Sequence, residues 1–122
     1  MTRPILAGRT VLLVEDEYFQ AKDAMNLLER AGARVVGPTG FAAEVAELLE
    51  REKVDAAIVD INLGAGANFD VADALLKQGV PFLFLTGYDA TVVPQELAAV
   101  RCLQKPCSER NVIEAVEQLI NA

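Results

Sequence analysis

The sequence predicts an α/β domain built on a single parallel sheet wound with helices on both faces, and three observations carry that prediction. Apolar runs without polar alternation, at Val11-Leu12-Leu13-Val14, Ala56-Ala57-Ile58-Val59 and Phe82-Leu83-Phe84-Leu85, mark strands covered on both sides. Stretches with apolar residues at helical spacing separate them, so strand and helix alternate. The polar residues Glu15, Asp16, Asp60, Thr86 and Lys105 each stand just past an apolar run, where open parallel sheets bind their ligands.

In chain order, Thr10 to Val14 is a β-branched, apolar strand that halts at three successive acids, Glu15-Asp16-Glu17. From Tyr18 to Ala31 the positions Phe19, Ala21, Ala24, Met25 and Leu28 follow a helical rhythm, which Gly32 stops. Arg34-Val35-Val36 is a short second strand closed by Gly37-Pro38, and Phe41 to Glu52 is a helix with Glu44, Glu47, Glu50 and Glu52 on its solvated face. The third strand, from Ala56, delivers Asp60 to a loop containing Gly64, Gly66 and Asn68, and Phe69 to Gln78 gives a third helix.

The fourth strand, Pro81 to Leu85, ends at Thr86-Gly87-Tyr88. Pro94 suits only a first helical turn, so the fourth helix is confined to about Pro94 to Val100 and is short. Arg101 to Gln104 is the fifth strand, and Ser108 caps a last helix whose Val112, Ile113, Val116, Leu119 and Ile120 form one apolar stripe. Five such units, joined by right-handed crossovers, give a parallel sheet in the order 2-1-3-4-5.

At 122 residues, residues 1–122 are expected to form one domain with no room for a separate output domain. A net charge of -7 disfavours direct nucleic-acid binding, because phosphate backbones select basic surfaces. The apolar runs fall short of a membrane span and no signal-like segment opens the chain, so a cytoplasmic location is expected. Cys102 and Cys107 read as reduced thiols packed as small hydrophobes, and with no His a zinc site is not expected.

In the order 2-1-3-4-5, the strands ending in Glu15-Asp16, Asp60, Thr86 and Lys105 are adjacent. Three carboxylates forced together repel, and a hard cation such as Mg²⁺ between them relieves the repulsion. A phosphoryl group is the natural third party. A cation and an ammonium neutralise its oxygens, a hydroxyl hydrogen-bonds one, and a carboxylate attacks phosphorus.

An acidic pair after strand one, a lone Asp after strand three, Thr after strand four and Lys-Pro after strand five together resemble the receiver domain of two-component response regulators, over nearly the whole chain. The resemblance implies a flavodoxin-like (βα)5 fold with a shortened fourth helix. It implies that Asp60 accepts a phosphoryl group from a histidine kinase or phosphotransfer protein. Asp16, Asp60 and the backbone carbonyl of Asn62 would ligate Mg²⁺, with Glu15 acting through a water. Thr86 and Lys105 would grip the phosphoryl oxygens, and the Lys105-Pro106 bond would be cis. Signalling would run through contacts with a downstream protein target, and a homodimer is left open.

Receivers commonly carry Tyr or Phe three residues before the lysine, where this chain has Cys102. The stretch Phe84-Leu85-Thr86-Gly87-Tyr88 is similar to single-domain receivers whose fourth strand reads Phe-Ala-Thr-Gly-aromatic, which makes Tyr88 the candidate switch residue. Two other readings share the residue set. One is a pseudo-receiver acting as an adaptor or dimerisation module without phosphorylation. The other is a Mg²⁺-dependent aspartyl-phosphate phosphatase of the haloacid dehalogenase type, which needs a second Asp two residues after the nucleophile, where Asn62 stands.

Overall fold

In the computed structural model, which describes residues 4–61, 69–87 and 93–121, the elements alternate as the apolar pattern requires. They are β1 (Thr10–Val14), α1 (Tyr18–Arg30), β2 (Arg34–Thr39), α2 (Ala42–Arg51), β3 (Ala56–Ile61), α3 (Asp70–Lys77), β4 (Phe82–Thr86), β5 (Cys102–Gln104) and α4 (Glu109–Ile120). All strand pairs are parallel and the sheet order is β2-β1-β3-β4-β5, as expected.

Strand alternation divides the core into two layers. Val11, Leu13, Ala56, Ile58 and Leu83 face a layer shared with Leu28 of α1 and Val112 and Val116 of α4. Leu12, Val14, Ala57, Val59 and Phe84 face the opposite layer, with Val45 of α2 and Val71 and Leu75 of α3. Phe84 is fully buried there, edge-on to both Phe69 and Phe82 at 5.6 Å.

Three local differences from the sequence reading have clear causes. Strand β2 runs on through Gly37-Pro38 to Thr39, because Gly37 takes φ +97° and a Cβ there would stand 2.7 Å from the Leu13 carbonyl oxygen. The pairing shifts between Leu12↔Val36 and Val14↔Thr39, so one extra residue is absorbed, and the edge position tolerates the proline. The fourth helix shrinks to a three-residue 3₁₀ turn, Gln95–Leu97, following Pro94. Phe19 is not a core residue of α1: it is 71% exposed, and Ala21 and Leu28 are the residues buried instead.

The caps agree with the sequence. Ser108 Oγ accepts from the Asn111 N–H at 3.1 Å at the start of α4, and Gly32 takes φ +98° just past α1. Both Lys105-Pro106 and Gly37-Pro38 are cis. Cys102 and Cys107 are free and half-buried, one in each layer, and burial pushes the Cys102 thiol up.

Candidate functional site

Strand register determines which of the polar residues meet. Val14 pairs with Val59, so Glu15 and Asp60 follow side by side on neighbouring strands. Glu15, Asp60 and Lys105 continue the alternation of Leu13, Ile58 and Leu103, which places them at the end of the α1/α4 layer. Thr86 continues Phe82 and Phe84 of the other layer; it is fully buried, and its carbonyl accepts from the Lys105 N–H at 2.6 Å. The sequence puts these residues at one end of the sheet, and the pleat sorts them into two rows.

The centre of the site is an ion pair. Lys105 Nζ donates to Asp60 Oδ2 at 2.7 Å, with the Asp60 side chain 6% exposed and that of Lys105 30%. Asp60 Oδ1 and Glu15 Oε2 are buried and receive no hydrogen bond from any N–H of the described residues. The Glu15 carboxyl is driven up to about 8, chiefly by burial and next by the neighbouring Asp60 carboxyl, against the opposing pull of the Glu17 N–H.

Asp16, the next residue, is exposed, and its Cβ lies against Gly40, where an added Cβ would come within 2.7 Å. The absence of a side chain at Gly40 therefore lets the turn after β2 close over the acidic end of β1. Among the described residues, no three acid side chains are drawn together as a finished cation cage. What the site offers a cation is the pair of buried carboxylate oxygens without donors, Glu15 Oε2 and Asp60 Oδ1, with the Asp16 carboxylate open to solvent next in the chain. Hard oxygen donors of this kind fit Mg²⁺, which would take the place of the Glu15 proton. Asn62 and Tyr88 lie outside the described residues.

Gln20 is absent from the sequence reading, and Glu17 stands there only as the third of three successive acids. Glu17 is the N-cap of α1, its carboxylate accepting from the N–H groups of Phe19 at 3.3 Å and Gln20 at 2.8 Å. Gln20 then reaches back across the site, its Oε1 accepting a second hydrogen bond from Lys105 Nζ. An acid immediately before an apolar-periodic stretch is an N-terminal signal, and a polar residue three positions later on the first turn was the available clue to Gln20.

Comparison with known proteins agrees with this geometry. A family model described as the response regulator receiver domain matches residues 11–117. The sensory transduction protein LytT of Bacillus anthracis is 28% identical over 112 residues, 88% of this chain and 46% of its own length, so the chain spans about half of that relative. The solution structure of the BeF3-activated conformation of SdrG from Pseudomonas melonis Fr1 is 30% identical with a TM-score of 0.75, covering 98% of this chain and 99% of that one. The receiver domain of sensor histidine kinase PA1611 from Pseudomonas aeruginosa PAO1, with magnesium coordinated in its cleft, shares the fold at 22% identity and a TM-score of 0.78, covering 95% of this chain and 100% of that one.

Proposed function

The chain belongs to the response regulator receiver domain family, and we propose that within it the chain accepts a phosphoryl group on Asp60 in two-component signalling. The observation that carries this reading is the Lys105–Asp60 contact at 2.7 Å beside an Asp60 oxygen, Oδ1, that has no donor among the described residues. A carboxylate held at one oxygen by an ammonium and undonated at the other can attack with the second. In the transfer, that oxygen forms a P–O bond as the P–N bond of a phosphohistidine breaks, and the departing imidazole takes up a proton.

The other residues serve that exchange. The Lys105 ammonium offsets the charge brought onto Asp60, and the Thr86 hydroxyl hydrogen-bonds a phosphoryl oxygen. Glu15, Asp16, Asp60 and the Asn62 carbonyl would hold Mg²⁺, which when bound neutralises phosphoryl oxygens. The added charge then shifts the population of the loop after β4, with Tyr88 as the residue that reports the change to a partner.

The donor in this reading is a sensor histidine kinase or phosphotransfer protein, and the output is contact with a downstream protein in the cytoplasm. A net charge of -7 supports protein over nucleic-acid partners, and no helix among the described residues is long and apolar enough to cross a membrane. Titration with beryllofluoride and Mg²⁺, followed by amide NMR, tests the site. Shifts at Thr86, Gly87 and Lys105 that depend on both reagents and vanish in Asp60→Asn are the expected result. A wild-type spectrum indifferent to both would point to an adaptor module.

A further inference from the structure

Lys105 is held from two sides, and we propose that Gln20 is a positioning residue that keeps its ammonium over Asp60 in the resting protein. This rests on the phosphoacceptor reading, because the ammonium then stands ready when a phosphoryl group arrives. The lysine needs such a tether. It follows a three-residue edge strand, its side chain is 30% exposed, and it lines a groove of about 720 Å³ between α1 and the start of α4. A long flexible side chain at such a mouth has room to swing into solvent, and a single partly exposed ion pair restrains it weakly.

Gln20 supplies the second restraint and is itself fixed. Its Oε1 accepts from Lys105 Nζ, while its backbone N–H donates to the Glu17 carboxylate at 2.8 Å. The Glu17 N–H in turn donates to Glu15 Oε1 at 2.9 Å, and Glu15 stands beside Asp60 just past the paired ends of β1 and β3. The contacts therefore run as one chain from Glu15 through Glu17, Gln20 and Lys105 to Asp60, tying the first turn of α1 to the end of β5. The amide is suited to the task because it accepts a hydrogen bond without carrying charge. The positive charge of Lys105 is thus left for the phosphoryl oxygens, whereas a carboxylate at the same place would offset it.

The test compares the full chain with Gln20→Met, which keeps the length and removes the acceptor, and Gln20→Glu, which keeps the acceptor and adds charge. Four quantities are read: the Lys105 ammonium ¹H–¹⁵N signal without phosphoryl donor, the rate of phosphorylation by acetyl phosphate at saturating Mg²⁺, the Mg²⁺ Kd, and Tm. In Gln20→Met the ammonium signal is expected to broaden away and the rate to fall about tenfold, equivalent to about 1.4 kcal/mol, with Kd and Tm unchanged. Gln20→Glu is expected to retain the signal and still react slowly.

A Gln20→Met protein that keeps the signal or the wild-type rate overturns the proposal, as does a rate loss that merely follows a loss of Tm and Mg²⁺ affinity. A wild type that takes no phosphoryl group, with an ammonium signal that still disappears in Gln20→Met, overturns the phosphoacceptor reading and leaves the tether standing.

Discussion

The carboxyl of Glu15 is buried against that of Asp60 at the paired ends of β1 and β3, and it holds its proton up to about pH 8. The sign of the resulting pH dependence follows directly. The unfolded chain releases that proton near 4.5 and the folded chain near 8, so folding takes up a proton between those values. The stability this group contributes without metal is therefore fully present below about pH 4.5 and is lost as pH rises to about 8, with a limiting slope of about 1.4 kcal/mol per pH unit. Urea unfolding between pH 5 and 8 is expected to show the decline, and Glu15→Gln, which keeps a neutral hydrogen-bonding group, to flatten it.

Magnesium acts on the same group. A cation that takes the two carboxylate oxygens must displace the Glu15 proton, so its affinity is expected to rise with pH toward 8 and level off above it. Calorimetric titration at several pH values checks this. Asp60→Asn, which removes a charged donor, is expected to weaken binding at every pH, and an affinity independent of pH would separate Glu15 from the cation.

Gly40 is expected to be intolerant of a side chain. A Cβ there would lie 2.7 Å from Asp16 Cβ, a contact between two atoms close to the backbone that neither rotamer can relieve. Gly40→Ala is therefore expected to cost about 1–3 kcal/mol and to weaken Mg²⁺ binding with it, because the end of β1 must move. Denaturant unfolding and metal titration of the one variant test both parts.

Removing the lysine leaves a carboxylate in place without its cation. Lys105→Met is expected to destabilise the resting protein by about 1–2 kcal/mol, reduced from the full cost of a broken buried pair because the ammonium is partly exposed. Unfolding measured beside Lys105→Met/Asp60→Asn tests the coupling: the double variant is expected to recover part of the loss, since the stranded charge is then gone.

Much of the fold was legible because its signals are local and repeated. The apolar runs at β1, β3 and β4 have few readings other than buried parallel strands, and Ser108 and Gly32 end their helices by their own chemistry. The failures belong to tertiary structure. Pro38 reads as a strand breaker, yet β2 continues through it because Gly37 fits against the Leu13 carbonyl and no further strand needs the missing N–H. Phe19 keeps the helical spacing but stands in solvent, exposed beside Tyr18.

The site was legible as a set of residues at one end of the sheet, and its internal arrangement was not. Sequence order places Glu15 and Asp16 equally near Asp60. The structure buries Glu15 on the same row as Asp60 and Lys105, and leaves Asp16 exposed on the alternate row. Gln20 carries no motif, because its role depends on the separation of α1 from β5.

The central claim, that Asp60 takes a phosphoryl group with Lys105 and a cation beside it, is tested most directly by intact mass after incubation with acetyl phosphate and Mg²⁺. The expected result is the gain of one base-labile phosphoryl group, mapped to Asp60, dependent on Mg²⁺ and absent from Asp60→Asn. A wild type whose mass does not change, or one modified equally in Asp60→Asn, would contradict it.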